Sequence, residues 1–493
     1  MQGNGQFPFP CNHYHENSSN HVIKLTEHID DRLIPQQAGF RQGKSCTSQA
    51  TNLIQHIEDG FEKKKITGAV FVDLTAAYDT VNHHLLCKKV YDITQDHNFT
   101  TIIKSMLSNR MFYVTHMGKS SRWRRQKNGL PQGSVLAPIL FNIYTNDQPI
   151  GDQTRHFLYA DDLAATAQGD THIEVQEMLQ ETLNKLQTYY VDNALRPNPS
   201  KTQVCSFHLK NAKAKCTLKL VWGGVQLENC ENPKYLGITL DRTLTYKRHC
   251  ENTKMKVEAR NNLLRKLVST RWGAKPKTLR TTAMALCYST AEYGCAAWGR
   301  SAHVKKIDVA LNNTMRIVSG CLRPTSVKHL PRICGIAPPG IRRCVAADVE
   351  RTKKEQDPRH VMFNQKEVTP RLKSRRSFMK ETHEMKVDPV EEREKRWSDL
   401  EKTTCYENLA NGHELPYVEW LTLNRIRAGC ARTAVNLTRW GIQDDVKCPD
   451  CGQKQTDDHL LVCGTGTAYT REELWGEMNN RTEGLVQRWK GRI

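Results

Sequence analysis

The sequence predicts an α+β chain of several compact domains, and three features carry that expectation. Short apolar strands that end in aspartates alternate with amphipathic helices between residues 22 and 250. From Lys254 onward the apolar spacing turns helical, through LLRKLVS and TTAMALCYSTAEYG. Near the end, Cys448, Cys451, His459 and Cys463 fall at the spacing of metal ligands.

A chain of 493 residues can bury roughly two to four cores without help from disulfides. Its formal charge of +20 and isoelectric point near 9.3 favour polyanions, and nucleic acid is the expected partner. The cations are spread along the whole chain instead of gathered beside an apolar helix, which argues against a membrane surface. No run approaches the roughly 18 apolar residues of a spanning helix, and the first residues lack the order of a secretory signal. An intracellular protein is expected, nuclear or cytoplasmic. The 17 cysteines, an odd number, mostly stand alone as reduced buried thiols do.

Residues 1–21 are polar, without period, and read as a disordered tail; Cys11, His13 and His15 there lack a fourth ligand and receive no role. Two helices follow, one through Ile23, Ile29 and Leu33, the other through Leu53, Ile54, Ile57 and Phe61, with the basic loop LIPQQAGFRQGKS between them. Ala69 to Leu74 read as a strand buried on both faces, with helices around Val81 to Val90 and Ile102 to Met106 beyond it. A Gly and Pro turn then leads into an apolar helix from about Ser134 to Tyr144, and FLYADDLAATA reads as strand, two-residue turn, strand. Residues 171–194 form a helix with Ile173, Val175, Leu179, Leu183, Leu186 and Tyr190 on its core side. LRPNPSKTQVCSF, CTLKLVWGGVQL and KYLGITLD are strand-like.

The chemistry concentrates at strand ends. Asp73 closes the first strand, while Asp161 and Asp162 cap a tight apolar hairpin, where two like charges repel unless a cation lies between them. Joining nucleotides takes two divalent ions roughly 4 Å apart on rigid oxygen ligands. Carboxylates suit magnesium better than His or Cys.

Four blocks in order, FVDLTAAYDTVNH, GLPQGSVLAPILFNIYTND, FLYADDLAATA, and LRPNPSKTQV with KYLGITLD, resemble the reverse transcriptases of non-LTR retrotransposons, particularly the jockey-like elements of arthropods. The resemblance spans roughly residues 30–340 and implies a right-hand polymerase: partial fingers and palm over 22–250, a helical thumb and connection over 251–345. A charged linker over 346–400 and a C-terminal helical region over 401–493 complete the expected order.

Position by position, the resemblance implies that Asp73, Asp161 and Asp162 hold two magnesium ions, or manganese in their place. Leu74 would offer its carbonyl to the nucleotide-side ion, and Tyr78 would exclude a ribose 2′-hydroxyl. Gln132 and Gly133 would lie beside the incoming nucleotide, Lys201 near its triphosphate, and Tyr235, Leu236 and Gly237 would form the primer grip. Arg41 and Lys44 are candidates for the basic residue that relatives place over the triphosphate, and Ala76 stands where relatives commonly carry lysine. RNA template, DNA primer and deoxynucleoside triphosphates are the implied partners, with an endonuclease separate or lost, because the upstream segments of the family are not recognisable before residue 30.

CPDCGQKQTDDHLLVC closes on a tetrahedral zinc through Cys448, Cys451, His459 and Cys463, a structural site in a module too small to fold without metal. Arg425, Arg427, Arg432, Arg439, Lys447 and Trp440 flank it as candidate nucleic-acid contacts, with SSRWRRQ and RLKSRR as further basic runs. Two readings compete: an RNA-directed DNA polymerase, and an inactive retrotransposon-derived protein that still binds nucleic acid. An RNA-templated RNA polymerase is a minor third, disfavoured by the aromatic at Tyr78.

Overall fold

The structure, a computed structural model, describes residues 29–268, 273–380, 386–401, 407–464 and 468–493. The chain divides into two compact units, the first of residues 1–245 and 353–384, the second of residues 246–352 and 385–493. The tail with Cys11, His13 and His15, and the start of the first expected helix, lie outside the described residues; from Ile29 only a short turn, Asp30–Arg32, is present.

The first unit is built on a five-stranded sheet of β1 (Ile66–Val72), β2 (Thr154–Tyr159), β3 (Asp162–Gly169), β4 (Gln203–Phe207) and β5 (Glu228–Asn229), in the order β5-β4-β1-β3-β2. Only β5 and β4 are parallel. Every residue of β1 is buried, because both faces are covered. On one face, Gly68 lies so close to Val175 and Leu179 of the helix His172–Asp192 that a Cβ there would overlap them. On the other, Thr67 meets Gly60 of helix Cys46–Glu62. That helix starts on a reciprocal cap between Ser45 and Ser48.

The stretch expected as a charged linker is packed. A helix, Pro339–Gln356, runs across the boundary between the units, and Pro389–Glu401 is helical in the second. Residues between them fasten onto helix Cys46–Glu62: Glu62 accepts from the amides of Arg371 and Leu372 at 2.7 and 2.8 Å, and Arg375 lies over the Phe61 ring near Glu58. RLKSRR is therefore spent largely on its own unit.

The second unit is helical. Lys247–Leu267 packs on Lys305–Ser319 through Asn261, which donates to the Ala310 carbonyl and accepts from Thr314. Helix Tyr417–Arg427 joins the same unit, with Trp420 and Asn424 donating to the carbonyls of Val318 and Ser319. The regions expected as thumb and C-terminal module thus share one compact body. No helix among the described residues is long and apolar enough to cross a membrane.

Candidate active site and metal cluster

The register of the sheet assembles the carboxylates. Val72 pairs with Leu163, so Asp73, one residue beyond β1, falls level with Asp162 at the start of β3. Tyr159 pairs with Asp162, leaving Ala160 and Asp161 as the two-residue turn, with Ala160 at φ +55°. Asp162 is thus a strand residue, not a turn residue. Cross-strand neighbours lie about 5 Å apart at Cβ, within reach of a shared cation.

Asp161 and Asp162 resist ionisation. Burial, then Asp161 and Asp73, push Asp162 up to about 6 despite nearby Lys234, and burial and Asp73 raise Asp161. A divalent cation would relieve that repulsion, and an all-oxygen donor set fits a hard ion.

Asp73 is held from the LRPNPSKT loop. Its carbonyl accepts from the Asn198 amide at 2.8 Å, its carboxylate from the Asn198 side chain at 3.2 Å, and its amide donates to Thr202 Oγ1 at 3.3 Å. Leu74 bridges to Pro197, and Lys201 stands exposed in the turn between Asn198 and Thr202.

A cleft of about 490 Å³ opens over Asp161 and Asp162, walled by Phe40, Tyr78, Gln132, Gly133 and Tyr159 among others. Tyr78 stacks on Phe141 with ring centroids 4.5 Å apart, and burial and Asp161 hold its hydroxyl well above the usual phenol range. Gln132 donates to Asp79 at 3.2 Å. Gly129, at φ +89°, lies against the Asp79 backbone, where any Cβ would come within 2.8 Å of the carbonyl oxygen.

KYLGITLD is a hairpin, not one strand. Lys234–Tyr235 pairs with Ile238–Thr239, and Leu236 and Gly237 turn at φ +43° and +80°. The buried Tyr235 hydroxyl donates to the Phe157 carbonyl at 3.0 Å, and burial and Asp162 raise it well above the usual phenol range.

A support absent from the sequence reading holds the carboxylate turn. Gln37, buried, accepts from the Ala160 and Gly39 amides at 2.8 Å each and donates to the Ala160 carbonyl at 3.2 Å. Gly39 lies against Ala160, where a Cβ would overlap the backbone nitrogen. The only local signals were a glutamine pair and a glycine inside a loop. Arg41 is not free for a triphosphate: it grips Asp30 bidentately and donates to the carbonyls of Ile34 and Gln37. Lys44 donates to the Pro35 and Gln37 carbonyls.

In the second unit, one ligand atom from each of Cys448, Cys451, His459 and Cys463 lies within 4.8 Å of the others. The sulfurs of Cys448 and Cys463 are 3.7 Å apart, those of Cys463 and Cys451 3.8 Å, and Cys451 is 3.4 Å from His459 Nε2. Burial opposes charge on Cys448, but amide and side-chain hydrogen bonds outweigh it and lower its thiol, whereas burial and two neighbouring sulfurs raise Cys463. The module also has an apolar core of its own, including Leu423, Leu460, Leu485 and Trp489, so metal does not replace one. Arg427 is buried and donates to the carbonyls of Leu474 and Asn411, and the half-buried Arg425 donates to those of Gly320 and Ile493. Arg432, Arg439 and Lys447 are exposed.

The sheet sets Asp73 level with Asp162, and the hairpin carries Asp161 and Asp162 to one cleft, an arrangement like that of a polymerase palm. Residues 17–240 match the family model of reverse transcriptases, RNA-dependent DNA polymerases. The chain is 34% identical over 304 residues to a probable RNA-directed DNA polymerase from transposon BS of Drosophila melanogaster, covering 59% of this chain and 33% of that protein. It is 31% identical over 310 residues to the RNA-directed DNA polymerase from mobile element jockey of Drosophila funebris, covering 60% and 33%. Apo telomerase from Candida Tropicalis aligns over 62% of this chain and 50% of its own at 10% identity and a TM-score of 0.37, too distant to guide any assignment. Residues 17–240 are thus similar to reverse transcriptases, and the wider match is to polymerases of the jockey-like, non-LTR kind. The chain spans about a third of the length of these curated relatives.

Proposed function

We propose that the protein acts as the RNA-directed DNA polymerase of a non-LTR retrotransposon, adding deoxynucleotides to a primer 3′-hydroxyl on an RNA template. The observation that carries this reading is the register that sets Asp73 level with Asp162, beside the Asp161 turn and under the Tyr78 and Gln132 cleft. Asp73, Asp161 and Asp162 would hold two magnesium ions, or manganese, which supply a more acidic 3′-hydroxyl and neutralise the triphosphate.

The chain's own residues position and select. Leu74 would offer its backbone carbonyl to the nucleotide-side ion. Tyr78, stiffened by its stack on Phe141, forms the wall that a 2′-hydroxyl would strike. Gln132, oriented by Asp79, and Gly133 flank the base and template. Lys201 offers a proton or charge to the departing pyrophosphate. The Tyr235, Leu236 and Gly237 hairpin, anchored on Phe157, holds the primer end for in-line attack.

The Cys448, Cys451, His459 and Cys463 cluster is read as a structural zinc site. Tetrahedral Zn–S bonds of about 2.3 Å separate sulfurs by about 3.8 Å, which agrees with the 3.7 and 3.8 Å between these sulfurs.

Primer extension tests the polymerase reading. Poly(rA) with oligo(dT), labelled dTTP and magnesium should give extension that the Asp161→Ala, Asp162→Ala variant loses. Wild-type extension no greater than that variant's would sink it.

A further inference from the structure

Between the first carboxylate and the cleft loop, the chain sends out a two-stranded ribbon whose paired residues are all exposed. Met111–Phe112 pairs with Arg124–Arg125, and Thr115–His116 with Lys119–Ser120. The register changes by one residue between these pairs, because the Ser121 amide donates to the Val114 carbonyl while Tyr113 meets Trp123, ring centroids 4.5 Å apart. Arg122 is the extra residue, a bulge that turns its side chain out of the ladder's regular alternation.

The composition is one-sided. From His97 to Asn146 there is no carboxylate, and the ribbon from Arg110 to Lys127 carries six Lys and Arg residues. Among the described residues no ion pair engages any of them, and the one polar side-chain contact is from Arg125 to Asn109. Interleaved with these charges are exposed apolar groups, with Met111 53%, Met117 91% and Trp123 56% exposed. A lone ribbon of this size is marginal in water, and apolar groups in the open call for an occupant.

The ribbon's base is fixed to the cleft. Gln126 closes it by donating its amide to the Arg110 carbonyl, and the next turns tie Gly129 to Val81 and Leu130 to Tyr78 before Gln132 and Gly133 enter the cleft wall. Cations without counter-charge, interleaved with aromatic faces, suit a polyanion that also offers flat rings. A second copy is a poor match, since it would bring the same positive ribbon.

We propose that the ribbon Arg110–Lys127 is a nucleic-acid arm. Arg122, Arg124 and Arg125 grip phosphates of the strand leaving the cleft, and Trp123 with Tyr113 stacks on an unpaired base. The polymerase reading is needed only to say that this strand is template or primer.

The test is fluorescence anisotropy with a labelled RNA–DNA primer-template bearing an RNA overhang, titrated at several KCl concentrations. The Arg122→Ala, Arg124→Ala, Arg125→Ala variant should lower the magnitude of the log K against log salt slope by about 2–3. Trp123→Ala should weaken binding by roughly tenfold with little change in slope. A control variant, Lys210→Ala, Lys215→Ala, Lys219→Ala, removes three exposed cations elsewhere on the same unit, and melting curves show whether each variant is folded.

A slope in the arm variant no different from wild type, or no more reduced than in the control, would overturn the proposal. So would nucleic-acid binding that survives intact while sedimentation shows a dimer falling apart, which would make the ribbon a self-association surface. A wild type that binds through the arm yet never extends would fail the polymerase reading and leave the arm standing.

Discussion

Replacing Gln37 by alanine isolates the support of the carboxylate turn from the carboxylates themselves. The side chain is 2% exposed and makes three hydrogen bonds, two from the Ala160 and Gly39 amides and one to the Ala160 carbonyl. Truncation leaves two buried amides and a carbonyl without partners, and each unsatisfied group costs about 1–3 kcal/mol. Partial relaxation and entry of water reduce the sum, so a loss of about 2–4 kcal/mol in local stability is expected. At a factor of ten for each 1.4 kcal/mol, the turn should open roughly 30- to 700-fold more often.

Amide hydrogen exchange reads that opening directly, because the Ala160 amide is protected only while Gln37 holds it. Peptides covering residues 157–163 should exchange faster in Gln37→Ala, while those covering β4 stay protected. Gln37→Glu separates bonding from charge: it keeps the acceptor for both amides, loses the donor to the Ala160 carbonyl, and brings a fourth carboxylate near Asp161. Extension should fall in both variants. Unchanged exchange across residues 157–163 in Gln37→Ala would refute the claim that Gln37 sets the turn.

Tyr78→Ala should raise ribonucleotide use relative to deoxynucleotides by roughly 10- to 200-fold, the range for removing one steric contact; competing extension with rTTP and dTTP measures it. Metal analysis should find about one zinc per chain, lost in Cys448→Ser, Cys451→Ser. Because the module keeps an apolar core, chelation should lower its melting temperature while leaving helical circular dichroism largely in place. At Glu62, burial favours the neutral acid, but the Leu372 and Arg371 amides and Lys380 outweigh it and depress its pKa. Its stabilisation of residues 371–380 is therefore full above the unfolded carboxylate value and is lost as pH falls through the lower folded value. Proteolysis of that segment should accelerate in acid for wild type and be fast but less pH-dependent in Glu62→Gln.

The parts of the fold that follow periodicity were legible. β1 was visible as a run with no polar face, although its start was placed three residues late because Thr67 and Gly68 look like turn formers; Gly68 is there to admit Val175 and Leu179. Ile173 was assigned to the core but is exposed, since it sits about 200° around the helix from Val175. The KYLGITLD hairpin was read as one strand because only backbone geometry, positive φ at Leu236 and Gly237, reveals the turn. Tyr78, Gln132, Asp161 and Asp162, singled out by motif order, line one cleft. Gln37 was not singled out, because its partner lies 123 residues away and no local pattern encodes a side chain bonding a distant backbone. Arg427 was likewise hidden from the sequence: a run of cations is usually solvated, and only its burial and its carbonyl partners show otherwise.

The two units are interleaved along the chain, and that order bears on how the protein is made. Residues 353–384 return to the first unit after more than a hundred residues of the second have been synthesised. During translation the carboxylate sheet can pair as soon as β5 has left the ribosome, but helix Cys46–Glu62 must wait for Arg371 and Arg375 with Glu58, Phe61 and Glu62 still uncovered. A fragment ended near residue 345 would leave the Glu58, Phe61 and Glu62 end of that helix without the contacts from residues 371–375, and no single cut yields both units whole. Expression of the polymerase region alone should therefore include residues up to about 380, or append that segment by a linker.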